Sequence, residues 1–228
     1  MKWLCLLFII VLLPLPCFSE TEFYKKGMEF YRKSQFELAA AHLEEAKNAE
    51  PGNHLLYFYL ANAYFEMDDI DNAILNYTDG LNYTDEKGLL FYNLGNCYYL
   101  KGNYDFSSEM YGRAVLNDPA LHDAYLNAGM AHFQSGNYRG TIIQWETYLE
   151  AYPETPQNEK IQRALAYLRE ELAKPEPIER NIDEKTGLDL DLLNEVIGDL
   201  GSMVNNTANI MEQSEKAVDD LTIEEIER

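Results

Sequence analysis

One spacing constrains this chain more than any other feature: Gly27, Ala61, Gly95 and Gly129 lie 34 residues apart. Sixteen residues after each comes a large apolar or aromatic side chain, namely Leu43, Tyr77, Tyr111 and Trp145. Twelve residues after each comes a small one, namely Ala39, Ala73, Ser107 and Thr141. Four periods without an insertion or deletion predict a stack of identical supersecondary units.

Each period predicts two helices joined by a short turn. In the third period, Phe91, Leu94, Gly95 and Tyr98 recur at i, i+3, i+4 and i+7, which is one face of a helix. Small residues at a crossing let two helix backbones approach closely. One such pair cannot bury its own apolar face, so we expect the pairs to stack into an elongated array.

These positions resemble the signature of the tetratricopeptide repeat (TPR), W-x2-L-G-x2-Y followed by A-x3-F, then A, then P. The third repeat matches with Phe91, Leu94, Gly95, Tyr98, Ser107, Tyr111, Ala114 and Pro119, and the fourth with Tyr125, Ala128, Gly129, His132, Thr141, Trp145, Tyr148 and Pro153. The first repeat is looser, with Lys26 in place of the leucine. The second has Gly80 for an alanine and Asp85 for the proline, so we expect its second helix to end early.

The resemblance implies an all-α fold, a right-handed α-solenoid of four helix-turn-helix TPR repeats. Their expected bounds are 20–53, 54–87, 88–121 and 122–155. A capping helix is expected over 157–173, because apolar residues line one side of that segment and charged residues cover the other. The TPR domain would thus span residues 20–173.

The N-terminus predicts a signal peptide over residues 1–19. Lys2 precedes an apolar run over residues 3–13, and Ser19 suits cleavage by a signal peptidase. An uncleaved anchor and a lipoprotein attached through Cys17 remain alternatives, and they are the only membrane attachment expected. We therefore expect an exported chain, periplasmic or associated with the envelope, with secretion as the alternative. Cleavage leaves Cys97 as the one cysteine, expected to be a small buried hydrophobe.

The C-terminal quarter predicts a separate acidic region. Residues 174–187 have the composition of a linker, and we expect residues 188–228 to form an acidic, partly helical tail. Residues 175–228 have a net charge of −11, about half of the chain's −21. Apolar residues from Leu193 to Met211 recur at helical spacing, weakened by Gly198 and Gly201. The tail therefore either folds onto a partner or onto the repeats, or stays solvated.

Composition and motifs argue against several functions. A net charge of −21 repels phosphate backbones and argues against nucleic-acid binding. The histidines and cysteines show no zinc spacing, and the sequence has no P-loop, nucleophile elbow or dinucleotide fingerprint. His132 stands where the repeat usually has tyrosine, which indicates packing. We predict no enzyme, no metal and no cofactor.

The family resemblance implies that the fifth, ninth and twelfth positions of each repeat line a concave groove. Here these are Tyr24, Met28, Tyr31, Phe58, Asn62, Phe65, Tyr92, Asn96, Tyr99, Leu126, Met130 and Phe133, with Asn93 and Asn127 flanking them. Tyrosine offers apolar area with a hydrogen-bonding phenol, and asparagine amides can pair with a peptide backbone. The set predicts a groove for an apolar or aromatic-rich peptide. Packing between repeats, or beneath the tail, is the alternative.

These features together predict a scaffold of the cell envelope that binds a partner protein or peptide in the groove. The alternative is a binding protein for a small hydrophobic molecule, associated with transport. One TPR subclass grips terminal carboxylates with basic and asparagine side chains. At the positions where that clamp needs basic and asparagine residues, this sequence has Tyr24 and Met28 in the first repeat and Asp123 and Asn127 in the last, which argues against it. An acidic groove rim would suit a basic partner.

Overall fold

The computed structural model describes residues 22–174, so the predicted signal peptide and acidic tail lie outside the described residues. All regular structure in this range is helical, which confirms the predicted all-α class for it. The helices are α1 Glu22–Arg32, α2 Phe36–Ala49, α3 His54–Glu66, α4 Ile70–Gly80, α5 Gly88–Leu100, α6 Tyr104–Asn117, α7 Asp123–Gln134, α8 Tyr138–Ala151 and α9 Asn158–Ala173.

The helices stack in chain order as a solenoid. Each odd-numbered helix from α1 to α7 packs on the next helix to form a repeat, and the second helix of each repeat packs on the first helix of the following one. α9 packs on α8 and closes the array. It does so by burying Ile161, Leu165 and Leu168 against the core of the fourth repeat.

Direct contact explains the spacing of sixteen residues between the small and the large positions. A Cβ atom added to Gly95 would lie 2.6 Å from the Tyr111 ring, and one added to Gly129 would lie 2.3 Å from the Trp145 ring. Both rings are fully buried. Glycine at these positions therefore brings the two helices of a repeat close enough to enclose a large ring.

The turn within each repeat has one backbone conformation. Its left-handed residue is Ser34, Asp68, Gly102 or Gly136, with φ of 53°, 60°, 72° and 78°. These four positions are again 34 residues apart. Glycine adopts this conformation without steric cost, whereas Ser34 and Asp68 hold it at some expense. The recurrence of one turn gives every repeat the same entry into its second helix.

The second repeat departs from the others at its end. α4 has 11 residues, whereas α2, α6 and α8 each have 14. This early end agrees with the expectation drawn from Gly80 and Asp85. A turn over residues 81–87 follows α4. Tyr83 anchors this turn, because its ring stacks on the Tyr57 ring with 4.9 Å between the ring centroids. The missing helical turn leaves space beside the neighbouring helices.

Candidate binding cavity

A partly open cavity of about 380 Å³ lies where the second and third repeats meet. It is bounded by the first turns of α3 and α5, the turn over residues 81–87 and the C-terminal end of α6. Its lining residues are His54, Leu55, Phe58, Thr84, Glu86, Gly88, Leu89, Leu90, Asn117 and Asp118. The early end of α4 supplies the turn that forms one wall, so the cavity lies where the repeat pattern is broken.

Two close contacts shape this cavity. At Gly88 an added Cβ atom would lie 2.7 Å from Cβ of Asp118, so glycine lets the start of α5 meet the end of α6. On the other side, the buried Tyr57 supports the Tyr83 ring and donates its hydroxyl hydrogen bond to the Pro51 carbonyl at 2.9 Å. The first contact joins two helices and the second fixes the turn over residues 81–87. Together they position two walls of the cavity.

The cavity combines an apolar interior with acidic groups. Leu55, Phe58, Leu89 and Leu90 supply its apolar surface, and Phe58 and Leu90 are themselves buried. Its carboxylates are Glu86, which is exposed, and Asp118, which is half-buried. Among residues 22–174, no lysine or arginine lines it. Such a site can enclose an apolar group and attract a cation at its edge.

Phe58 is the one predicted groove residue that lines this cavity. The other side chains of the predicted set that are buried are Tyr24, Met28, Tyr31, Asn62, Tyr92, Asn93, Asn96, Leu126, Asn127, Met130 and Phe133. Phe65 and Tyr99 are half-buried. The buried members have little surface with which to touch a ligand, and the peptide-binding role of the set stays a prediction.

The buried asparagines hydrogen-bond to tyrosines inside the array. Asn62 accepts from the Tyr77 hydroxyl at 2.5 Å, and Asn96 accepts from the Tyr111 hydroxyl at 2.6 Å. Burial raises the pKa of Tyr77 and of Tyr111 well above the usual range, so both phenols stay protonated as donors. The Nδ2 donor of Asn62 is buried and has no hydrogen-bond partner within residues 22–174.

The ninth position of a repeat is asparagine or methionine, depending on whether the large residue that it pairs with has a hydroxyl group. In the first and fourth repeats the large residue lacks a hydroxyl, being Leu43 or Trp145, and the ninth position is then Met28 or Met130. The indole of Trp145 instead donates to the Leu126 carbonyl at 3.1 Å. In each repeat, the polarity of the side chain at the ninth position thus matches that of the large residue.

Two further sequence expectations concern single side chains. Cys97 is buried, as predicted, and burial raises the pKa of its thiol to about 12, which leaves it protonated and unreactive. His132 is half-buried, its Nδ1 lies 3.2 Å from Nδ2 of Asn137, and desolvation lowers its pKa. Both side chains contribute to packing between the helices of a repeat.

Residues 22–174 contain no group of histidine, cysteine and carboxylate side chains that could hold a metal ion. Within the same range, every helix is too short or too polar to cross a bilayer. A depression between α8 and α9 is bridged by the exposed ion pair of Glu146 and Arg169. The cavity beside α4 is therefore the stronger candidate for binding.

The sequence predicts the early end of the second helix in the second repeat, but the predicted binding set took the same positions from every repeat and so did not include this cavity. The residues that this set omitted include Leu55, Leu89, Glu86 and Asp118. The available indication was the break in pattern at Gly80 and Asp85, which predicted a shortened helix. A shortened helix in a close-packed array leaves unfilled volume beside it, so the same two residues could have located the site.

Solved structures resemble this chain, whereas neither a protein-family model nor a curated protein matches it. A tetratricopeptide repeat protein from Parabacteroides merdae aligns at 19% identity with a TM-score of 0.59, over 79% of this chain and 66% of its own. A crystal structure of MamA aligns at 17% identity with a TM-score of 0.57, over 63% of this chain and 82% of its own. MamA from Desulfovibrio magneticus aligns at 15% identity with a TM-score of 0.56, over 66% of this chain and 86% of its own.

These likenesses agree with the features described above. The period of 34 residues and the paired helices recur in four successive units, the close glycine contact recurs in three of them, and the capping helix closes the last. The chain therefore has the tetratricopeptide-repeat fold.

Proposed function

We propose that this chain is a scaffold of the cell envelope, which holds a peptide or protein partner on its repeat array. The observation that carries the proposal is the cavity of about 380 Å³, with two leucines from α5 and an apolar wall from α3. Interfaces draw most of their binding energy from a few anchors that fill such apolar pockets. The envelope location rests on the predicted signal peptide.

The cavity suits one large side chain of a partner. Leu55, Phe58 and Leu89 present apolar atoms from two successive repeats, so one inserted side chain would contact both. Full burial of a leucine or phenylalanine side chain is worth about 1.5–3 kcal/mol. The rest of the partner would lie along neighbouring first helices of the array, which is the arrangement expected of a linear peptide.

The proposal is tested by affinity capture from envelope extract with residues 20–228 as bait. Leu89→Asp places a charge in the cavity, and we expect it to lose a partner that the unchanged bait retains. Leu75→Asp is the matched control, since Leu75 is 53% exposed on α4 and lies outside the cavity. Circular dichroism and thermal melting confirm that each bait is folded. A partner captured equally by both variants would contradict the proposed site.

A second candidate is supported by the size of the cavity. Small-molecule sites usually occupy about 300–1,000 Å³, and this cavity lies within that range. The chain would then bind a small hydrophobic molecule as a transport-associated protein. Titration with Nile red, a neutral hydrophobic dye, separates the two candidates. Saturable binding abolished by Leu89→Asp, with no protein captured by any bait, would favour the small-molecule function.

A further inference from the structure

The charges around the cavity point to a particular kind of partner. Resting on the proposed scaffold function, we infer that the docking segment presents a large apolar side chain next to a lysine or arginine. The apolar side chain enters between Leu55 and Leu89, and the cation lies at the edge with Glu86 and Asp118.

The two carboxylates reach the cavity from different elements. Glu86 belongs to the turn over residues 81–87, where its backbone N–H is fixed by the Thr84 hydroxyl at 3.0 Å. Asp118 is the C-cap of α6, and its Oδ1 accepts from the Ala120 N–H at 2.9 Å. Each carboxylate is therefore attached to an ordered backbone segment beside the same apolar surface. A cation at this edge can interact with both.

The end of α6 adds negative potential of its own. The C-terminal end of a helix carries a partial negative charge, which favours a cation. No basic residue lies in the last turn of α6. Arg113, further back, pairs with Glu109 at 2.7 Å and lies over the Phe91 ring. The helix end at Asn117, which lines the cavity, therefore lacks a neutralising side chain from its own last turn.

The charges of the remaining lining residues agree with this assignment. Within the part of the chain that the structure describes, His54 is the one basic side chain of the lining, and Lys87 lies outside the lining although it follows Glu86 in the chain. The chain's own tail has apolar residues that could fill the cavity, but residues 175–228 have a net charge of −11. Like charges at the edge oppose its docking. The complementary occupant is a basic segment of another protein.

The test is selection of phage-displayed random twelve-residue peptides on residues 20–228. We expect the selected peptides to share a large apolar residue beside lysine or arginine, and to lose binding to Leu89→Asp. For one synthetic peptide of that kind, Glu86→Gln with Asp118→Asn should weaken binding about three- to fivefold, the upper part of the range for exposed ion pairs. High salt should reduce this difference by screening.

A matched control separates the local charges from the overall charge. Glu37→Gln with Glu45→Gln removes the same net charge from exposed sites on α2, and we expect less than a twofold change in affinity. Equal weakening by the two double variants would show that the whole field of the chain attracts the peptide, and would overturn the assignment to Glu86 and Asp118.

The remaining outcomes distinguish this inference from the function on which it rests. Cavity-dependent peptides without a basic residue would overturn the inference and leave the scaffold function standing. Failure to select any cavity-dependent peptide would contradict both. If a synthetic peptide of residues 188–211 binds as tightly as the selected peptide and Leu89→Asp abolishes that binding, the occupant is the chain's own tail and the inference is wrong.

Discussion

Gly129 is held in the most crowded of the glycine contacts described above. A Cβ atom there would meet the Trp145 ring at 2.3 Å, and that ring is fixed by its hydrogen bond to Leu126. At Gly95 the obstacle is the Tyr111 ring at 2.6 Å. The second repeat pairs Ala61 with Tyr77, both fully buried, so a tyrosine in this position can accommodate a methyl group. The two glycines should therefore respond differently to substitution.

We predict that Gly129→Ala lowers the free energy of unfolding by about 1–3 kcal/mol, the range for an overpacked core. Gly95→Ala should cost less. Gly112→Ala is the control, because nothing lies within 4 Å of its added Cβ in the middle of α6; it should stabilise by about 0.5–1 kcal/mol through helix propensity. Urea unfolding followed by circular dichroism measures all three. If Gly129→Ala lowers the free energy of unfolding no more than Gly95→Ala does, the explanation from the fixed Trp145 ring is wrong.

Buried residues of the predicted groove set are poor positions at which to test binding. Tyr92 is buried, and its hydroxyl accepts a hydrogen bond from Nδ2 of Asn127 at 2.7 Å. Removing its ring would cost roughly 3–5 kcal/mol of stability. Lost binding after Tyr92→Ala would therefore report unfolding. Half-buried cavity residues such as Leu89 are better test positions.

At the level of elements, the turn over residues 81–87 is the feature that distinguishes one repeat from its neighbours. It replaces the last part of a second helix, and its Tyr83 ring lies on Tyr57 with an interplanar angle of 14°. Because Thr84 and Glu86 belong to the same turn, their position beside the cavity depends on this stacking. Tyr83 is 43% exposed, so its ring contributes little to the core.

We predict that Tyr83→Ala loosens this turn without unfolding the array. Amide hydrogens of residues 83–87 should exchange at least about tenfold faster, the equivalent of 1.4 kcal/mol of lost local stability. Tyr83→Phe keeps the stacked ring and should exchange like the unchanged chain. Hydrogen exchange monitored by mass spectrometry gives the comparison, with peptides from α1 and α2 as an internal reference. Unchanged exchange in Tyr83→Ala would show that the stacking does not hold the turn.

Local relations within a repeat were accessible from the sequence, and long-range ones were not. The period predicted the helix pairs and the close approach of their backbones at small residues, and Gly80 and Asp85 predicted the shortened α4, because each depends on residues of one repeat; the contact of Gly95 with the Tyr111 ring came from the structure. The hydrogen bond from Asn127 to Tyr92 joins residues 35 positions apart, in two repeats. How deeply such positions are buried depends on how the repeats stack. That geometry, and the cavity that results from it, required the structure.

On the scale of the whole molecule, the array is closed at one end by α9. Ile161, Leu165 and Leu168 cover the core of the last repeat, which includes Trp145 and Tyr148. In a linear array each unit is stabilised mainly by its neighbours. Loss of this helix would therefore expose the core of the fourth repeat and strongly lower its stability, whereas the stability of the first repeat would change little.

We predict that a chain ending at residue 157 loses several kcal/mol of stability, at about 1.5–3 kcal/mol for each buried side chain removed. A chain ending at residue 174 keeps α9 and is the control, with a melting temperature close to that of residues 20–228. Hydrogen exchange should show the loss of protection concentrated in α7 and α8. Uniform loss from α1 to α8 would contradict the nearest-neighbour description.

The choice of asparagine or methionine at the ninth position also affects how such a chain avoids pairing the wrong helices. A protein made of similar units can pair the first helix of one unit with the second helix of another. If α3 paired with α2, the Asn62 amide would face Leu43, and if α1 paired with α4, the Tyr77 hydroxyl would face Met28. Each exchange buries a polar group without its partner, at a cost of about 1–3 kcal/mol. The polarity of these pairs thus disfavours the exchange of helices between the first or fourth repeat and the second or third.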